Sequence, residues 1–130
     1  MFIPTVRTNL SFDEGLNQAQ CFERESTLPQ AERLYREILA RDPYHAQALH
    51  HLGLLCFRTN RHIEGLDLVR RSVLADPANS GFYINQGILL GKLSRFDQAA
   101  AALSKAVELD PNQHHAHNNL GVTFEKPRAS

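Results

Sequence analysis

Two rows of polar side chains recur along the chain at a spacing that would place each row on one surface. The first row holds an asparagine or a histidine every 34 residues: Asn17, His51, Asn85 and Asn119. The second row is basic and has the same spacing: Arg24, Arg58, Lys92 and Lys126. An amide offers a donor and an acceptor, which suits the backbone of an extended peptide, and cations beside it favour carboxylates. The rows therefore predict a surface that binds through hydrogen bonds and charge.

A structural role for both rows stays open from the sequence. Such side chains can also bond between neighbouring repeats or keep a helix face in water, and exposed charges usually contribute little to stability. The residues that a binding role would use are Asn17, His51, Arg58, Asn85, Lys92 and Asn119.

Seven histidines raise the question of a metal site. His114, His115 and His117 are clustered, but neighbours on a helix point about 100° apart and do not converge on one ion. We therefore expect neither a metal nor another cofactor. The chain also lacks a nucleophile elbow, a phosphate loop and an HExxH motif, so we assign no catalytic residue and expect no enzymatic activity.

Composition narrows the classes of partner. Fourteen basic and fourteen acidic residues cancel, which predicts no general attraction to nucleic acid or to anionic lipid. No apolar stretch reaches the length of a membrane span, and the N-terminus lacks the pattern of a secretion signal. Cys21 and Cys56 form no CxxC pair and are expected to be reduced thiols, so a cytoplasmic protein is the default expectation.

An Asp-Pro pair defines the elements that must position the polar rows. It returns every 34 residues, at Asp42-Pro43, Asp76-Pro77 and Asp110-Pro111. A period of this size indicates stacked supersecondary units. Each unit holds two segments with helical periodicity, such as residues 31–39 and 98–109, and breaks fall near 26–29, 59–61 and 94–95. Each Asp-Pro ends a second helix, because proline disfavours helical geometry in the residue before it.

The predicted fold class is all-α, a right-handed superhelix of about three and a half antiparallel helix pairs with seven helices. The predicted boundaries are an irregular extension at 1–11, repeats at 12–45, 46–79 and 80–113, the first helix of a truncated repeat at 114–126, and a tail at 127–130. A stripe of small residues on the first helices lies about 200° from the polar row and predicts close helix packing. Its central members are Ala19, Gly53, Gly87 and Gly121.

The small residues, Tyr35, the closing Asp-Pro and the 34-residue unit together resemble the tetratricopeptide repeat family over about residues 12–124. The resemblance implies a scaffold that binds a partner protein or an extended peptide in its concave groove. Segments such as AERLYREILARDP (31–43) and AHNNLG (116–121) are similar to bacterial arrays that precede glycosyltransferase or sulfotransferase domains. The asparagines of the first row match the ladder in the groove of the O-linked N-acetylglucosamine transferase repeats.

Two alternatives to peptide binding follow. The fourth unit leaves Leu120, Val122 and Phe124 without a following helix, which predicts self-association through that end, or a fragment of a longer array. The resemblance also allows a substrate-recruiting N-terminal segment of a transferase. One branch of the family clamps carboxylates with lysines in the groove. Membership of that branch is disfavoured, because none of the positions that would hold those lysines is basic here. Those places hold Leu16, His50, Ile84, Asn118, Gln20, Leu54, Ile88 and Val122.

Overall fold

The computed structural model describes residues 11–112, which form six α-helices. They are α1 (Phe12–Arg24), α2 (Leu28–Arg41), α3 (Ala46–Arg58), α4 (His62–Ala75), α5 (Ser80–Lys92) and α6 (Phe96–Leu109). Each odd-numbered helix pairs with the next even-numbered one, and α2 and α4 also pack on α3 and α5. The predicted all-α superhelical array of antiparallel pairs is confirmed, and the predicted seventh helix at 114–126 lies outside the described residues. None of the six helices is long and apolar enough to cross a membrane.

Turns separate the helices where the sequence predicted breaks. Within each hairpin one residue has a left-handed backbone, at Ser26 (φ 63°), Asn60 (φ 67°) and Ser94 (φ 61°). These residues recur every 34 positions and reverse the chain in a conformation that side chains other than asparagine rarely adopt. The even-numbered helices stop one residue before the aspartate of each Asp-Pro pair, as the effect of proline on the preceding residue predicts.

The odd-numbered helices begin on side-chain caps that also recur every 34 residues. Ser11, His45 and Asn79 each accept a backbone N–H from the third residue beyond. Such a cap satisfies one of the orphan donors of the first turn. Ser11 adds a reciprocal bond, since the Glu14 carboxylate accepts from the Ser11 N–H at 2.9 Å. Caps at equivalent places give α1, α3 and α5 the same starting register.

The backbones of α3 and α4 touch at two glycines. A Cβ added to Gly53 would lie 2.8 Å from the carbonyl oxygen of Gly65, and one added to Gly65 would lie 2.6 Å from the carbonyl oxygen of Gly53. The equivalent places in the other hairpins hold small residues that are buried: Ala19, Ala31, Gly87 and Ala99. The small-residue stripe predicted to permit close packing is confirmed within residues 11–112; Gly121 lies outside them.

The hydrophobic core is continuous through the first two hairpins and divided in the third. One cluster of buried side chains runs from Ala19 in α1 to Leu68 in α4. In the third hairpin the buried residues fall into two smaller clusters, one around Leu103 and one that joins Leu90 to Leu66 of α4. The buried side chains of the third hairpin therefore form clusters separate from the one that spans the first two hairpins.

Candidate functional site

The hairpins meet at two junctions, and each junction has two faces. The first junction joins the α1–α2 and α3–α4 hairpins, and the second joins α3–α4 and α5–α6. The inner face is formed by α1, α3 and α5, and the outer face by α2, α4 and α6. The described members of the predicted site all lie on inner helices: Asn17, His51, Arg58, Asn85 and Lys92. Asn119 lies outside the described residues.

The inner face of the first junction is held by a polar network. The Gln20 amide donates to His51 Nε2 at 3.1 Å, and the His51 ring stacks on Tyr35 with 6.0 Å between centroids. Arg58 Nη1 lies 3.3 Å from a Glu23 carboxylate oxygen, and the Tyr35 hydroxyl donates to the same carboxylate. Burial and that carboxylate raise the pKa of Tyr35, so it remains a donor. His51 and Arg58 therefore connect neighbouring hairpins.

A buried histidine holds the inner face of the second junction. His50 is 4% exposed, stacks on Phe82 at 4.3 Å between centroids, and contacts the Asn85 amide nitrogen through Nε2 at 3.0 Å. Because an amide nitrogen only donates, Nε2 accepts and the ring proton resides on Nδ1. That Nδ1 is buried without a hydrogen-bond partner among residues 11–112. Burial, helped by neighbouring His51, lowers the pKa of His50 to about 4, so the ring is neutral.

Asn17 and Lys92 differ from the other predicted residues because both are exposed and neither has a side-chain partner within the described part of the chain. The Arg58 side chain is 53% exposed despite its contact with Glu23. The Asn85 amide nitrogen donates to His50 Nε2, so Asn85 also connects neighbouring hairpins. The two rows therefore divide into residues that bridge repeats and residues that face solvent.

Sequence reasoning missed the partners of these residues. Gln20 and His50 were predicted to hold places that lack lysine, and no partner was predicted for His51, Arg58 or Asn85. The available signal was spacing: Glu23 lies 35 residues before Arg58, and His50 lies 35 residues before Asn85. A separation of one repeat plus one residue places two side chains across a junction, which the single-repeat alignment does not reveal.

Four charged side chains close the outer face of the first junction. Arg61 donates two hydrogen bonds to the Glu32 carboxylate, both at 2.8 Å, and Arg36 donates to Glu32 and to Glu64, both at 2.9 Å. The bond from Arg61 is the main cause that lowers the pKa of Glu32 to about 2. This bidentate arrangement is the stronger kind of ion pair, and it crosses from α2 to α4.

The outer face of the second junction is open. A groove of about 690 Å³ lies between α4 and α6, with α5 at its floor. Its apolar lining includes Leu66, Leu90 and Ala102, and its charged lining includes Arg70 and Arg95. The sequence predicted no binding site on the outer helices, so this groove is a finding of the structure.

The remaining candidates for chemistry were the histidines and cysteines. Within residues 11–112 no three His, Cys, Asp or Glu side chains converge to hold a metal ion, and the cluster at 114–117 lies outside that range. Cys21 and Cys56 are both free thiols. Burial raises the pKa of Cys56, which keeps it protonated as a packing group. The described surfaces offer hydrogen bonds, charge and apolar contact.

Three consecutive hairpins with a 34-residue period, equivalent caps and equivalent turns define an α-helical repeat protein. Two family models match the sequence: one described as tetratricopeptide repeat over residues 16–80, and one described as TPR repeat over residues 87–126. The first alone covers half of the chain. The chain belongs to the tetratricopeptide repeat family.

Relatives by sequence are much longer proteins. The chain is 29% identical over 92 residues to the tetratricopeptide repeat-containing protein trd-1 of Caenorhabditis elegans. This match covers 68% of this chain and 12% of that relative. It is also 29% identical over 77 residues to the UDP-N-acetylglucosamine--peptide N-acetylglucosaminyltransferase of Giardia intestinalis, covering 59% of this chain and 5% of the enzyme. The chain thus spans about an eighth or less of the length of these relatives.

Solved structures share the fold. The O-GlcNAc transferase of Thermobaculum terrenum, as its K341M mutant, superposes with a TM-score of 0.81 at 28% identity, covering 95% of this chain and 23% of that one. The first TPR domain of Spaghetti (RPAP3), bound to the HSP90 peptide SRMEEVD, has a TM-score of 0.81 at 18% identity. The match covers 89% of this chain and 91% of that one. The predicted likeness to the O-linked N-acetylglucosamine transferase repeats is confirmed.

Proposed function

We propose that the chain is a protein-interaction module whose inner face binds an extended segment of a partner protein. The observation that carries this proposal is the solvent exposure of Asn17, Arg58 and Lys92 on three successive inner helices. The exposed amide would bond a peptide backbone, and the two cations would pair with acidic side chains or a terminal carboxylate. A partner with carboxylates near its backbone contacts is therefore the expected class.

Asn85 and His51 have a mixed role in this proposal. Their side chains already bridge the hairpins through His50 and Gln20, so they would fix the shape of the surface while offering their remaining polar atoms to the ligand. Asn119 is proposed by its place in the same row. A prearranged surface loses less entropy on binding than a mobile one, which supports affinity.

One solved structure with this fold, that of the first TPR domain of Spaghetti, is bound to an acidic peptide of HSP90. It supports peptide binding as a use of the fold. Because this chain lacks basic residues at the clamp places named above, the proposed ligand would meet Arg58 and Lys92 instead.

The test is a selection of displayed peptides against the whole chain, followed by affinity measurements on variants. Asn17→Ala with Lys92→Ala is the test pair, because neither residue has a partner among residues 11–112 and the fold should be unaffected. We expect the enriched peptides to bind this double variant roughly tenfold more weakly. Circular dichroism and the melting temperature serve as checks that the fold is intact.

The matched control changes the outer groove, through Arg70→Ala with Arg95→Ala, and should leave inner-face binding unchanged. Equal affinity of the enriched peptides for wild type and for the Asn17→Ala, Lys92→Ala variant would refute the inner-face assignment. Asn85→Ala is a poorer test, because it also removes the partner of His50.

A second candidate function is substrate recruitment within a transferase. It is favoured by the 28% identity to the Thermobaculum terrenum enzyme over 95% of this chain. An immunoblot of the source cell tests it: this proposal predicts a native polypeptide far larger than the 14.7 kDa of the chain. A native band at the mass of the chain would exclude it.

Self-association through Leu120, Val122 and Phe124 stays a prediction, since these residues lie outside the described range.

A further inference from the structure

The open groove on the outer face of the second junction has an internal template at the first junction. The two outer faces are related by the 34-residue repeat, so each place on one has a counterpart on the other. The places that hold Glu32, Arg36, Arg61 and Glu64 at the first junction hold Leu66, Arg70, Arg95 and Gln98 at the second. Both arginines are kept and both glutamates are replaced.

This substitution changes the electrostatics of the groove. At the first junction every arginine of the network contacts a carboxylate from the facing hairpin. At the second, Arg70 contacts only Asp67 on its own helix at 2.7 Å, and Arg95 has no carboxylate partner within the described residues. The lining also includes Lys105, which lies 3.8 Å from Glu108 of its own helix. The lining therefore holds three cations and one carboxylate, Asp67. The groove is therefore complementary to an anion.

The floor of the groove is apolar, and exposed apolar side chains of α4 and α6 lie in its lining or beyond it. Leu66, Leu90 and Ala102 pack together in one cluster and form part of the lining. Ile63 is 71% exposed at one end of the groove, and Leu74, eleven residues further along α4, is 68% exposed. At a rise of about 1.5 Å per residue these two side chains are about 16 Å apart along α4. Leu109, at the corresponding end of α6, is also exposed.

These dimensions favour a polypeptide as the occupant. Exposed apolar side chains of α4 span about three helical turns, from Ile63 in the lining to Leu74 beyond it, which a small dicarboxylate would not cover. At the first junction the equivalent arginines are paired with Glu32 and Glu64, which are glutamates on helices. A partner helix that carries glutamates would offer Arg70 and Arg95 the same kind of contact. An amphipathic helix laid in a groove buries its apolar stripe and presents carboxylates beside it.

We propose that the outer groove of the second junction binds an acidic amphipathic segment of a partner protein. Its carboxylates pair with Arg70 and Arg95, which meet no carboxylate of the facing hairpin among the described residues, and its apolar side chains lie on Leu66 and the α5 floor. This surface is separate from the inner face, and the proposal rests on a different observation.

The test uses the whole chain and a displayed library of peptides of about 14 residues, long enough to follow α4 along the groove. The library is built from Glu, Asp, Leu, Phe, Ala and Lys and is selected at low ionic strength, where surface charge acts over the longest distance. We expect enriched peptides in which carboxylates flank an apolar stripe. Arg70→Ala with Arg95→Ala should weaken their binding roughly tenfold or more, measured by fluorescence anisotropy.

The sharpest variant installs the missing carboxylates. Leu66→Glu with Gln98→Glu rebuilds the charge pattern of the first junction and should abolish peptide binding by occupying both arginines internally. If the Leu66 change harms folding, Gln98→Glu alone, at an exposed position, should still weaken binding severalfold. Asn17→Ala with Lys92→Ala, on the inner face, is the matched control and should leave this binding unchanged.

Three outcomes would overturn the proposal. The first is a selection that enriches peptides without carboxylates. The second is unchanged affinity of the acidic peptides for the Arg70→Ala, Arg95→Ala variant. The third is displacement of the peptide by free glutarate at equal concentration, which would assign the groove to a small dicarboxylate instead of a protein segment.

Discussion

The two junctions are built on the same repeat, yet the first is closed and the second is open. At the first junction the outer face is crossed by bidentate ion pairs from Arg61 to Glu32, and the inner face by the Gln20–His51 contact. At the second, one buried His50–Asn85 contact holds the inner face, and the outer face is a groove. The core follows the same pattern, because it is continuous across the first junction and divided beyond it.

This difference shows how a repeat protein makes a surface without changing its backbone. Two substitutions between equivalent places, from Glu32 to Leu66 and from Glu64 to Gln98, replace the carboxylates that cross the first junction. At the second junction neither Arg70 nor Arg95 meets a carboxylate of the facing hairpin among the described residues, and exposed apolar area lies beside them. Stability in such arrays depends on interfaces between neighbouring repeats. A junction that lacks ion pairs therefore contributes less to stability and offers more to a partner.

The largest expected effect comes from disturbing the α3–α4 hairpin, which both junctions share. In Gly53→Ala the added methyl would lie 2.6 Å from a Val69 side-chain carbon and 2.8 Å from the Gly65 carbonyl oxygen. Backbone atoms cannot yield cheaply, so α3 and α4 must separate, and we expect a loss of about 3 kcal/mol in the free energy of unfolding. Denaturation in urea measures the change.

The matched control is Gly91→Ala. A Cβ at Gly91 meets nothing within 4 Å, and alanine is preferred over glycine within a helix, so this variant should gain about 0.5–1 kcal/mol. Loss of stability in both variants, by similar amounts, would show that the close approach of α3 and α4 is not the cause.

The sequence was sufficient to predict the close helix packing at the glycines, and it did not predict the contacts between hairpins. The 34-residue period and the small residues at Gly53 and Gly87 were sufficient to predict the hairpins and their close packing, because these depend on local propensity and on steric size. The polar contacts of His50 and Gln20 were missed, since they join residues of successive repeats offset by one position or more. The outer groove was missed because it depends on which carboxylates are absent, and an absent partner leaves no motif.

The second prediction concerns the inner face of the second junction and its dependence on pH. His50 has a pKa of about 4 in the folded protein because it is buried, against 6.5 for an ordinary histidine. As the pH falls below about 6.5 the unfolded chain gains a proton that folded His50 does not, so stability decreases as the pH falls toward 4. We expect a loss of about 2 kcal/mol between about pH 7 and about pH 5, measured by urea denaturation.

His50→Gln is the control, because it keeps an amide opposite Asn85 and removes the titration. Its stability should vary less with pH over the same range. Some dependence should remain, since burial also lowers the pKa of His51. An unchanged pH profile in His50→Gln would mean that another group is responsible.

The third prediction opens the first junction. Glu32→Gln removes the carboxylate that Arg61 and Arg36 share, and leaves two cations close together on a partly exposed face. We expect a loss of about 1 kcal/mol, because the pair is bidentate but still reached by solvent. The pKa of about 2 for Glu32 predicts that acid removes this contribution only between about pH 4.5 and about pH 2, below the range of His50.

Gln98→Glu is the matched change at the second junction, since Gln98 occupies the place of Glu64. It should not destabilise the protein, because it adds a carboxylate beside Arg70 and Arg95 instead of removing one. If Glu32→Gln and Gln98→Glu were equally harmless, the ion pairs would not be what distinguishes the two junctions.

The smallest expected effect is the closure of the second groove by Leu66→Glu with Gln98→Glu. The new carboxylates would meet Arg70 and Arg95 as Glu32 and Glu64 meet their arginines, which should stabilise the junction by about 1 kcal/mol in ion pairs. Loss of the half-buried Leu66 side chain costs a similar amount, so the net change in the free energy of unfolding should be near zero at low salt. High salt screens only the ion pairs, so it should destabilise this double variant. The control is Leu66→Gln, which keeps Gln98 and adds no carboxylate, and its stability should not respond in this way. A salt dependence equal in the two variants would mean that the arginines do not respond to carboxylates in this groove, which would contradict both the template and the acidic partner inferred from it.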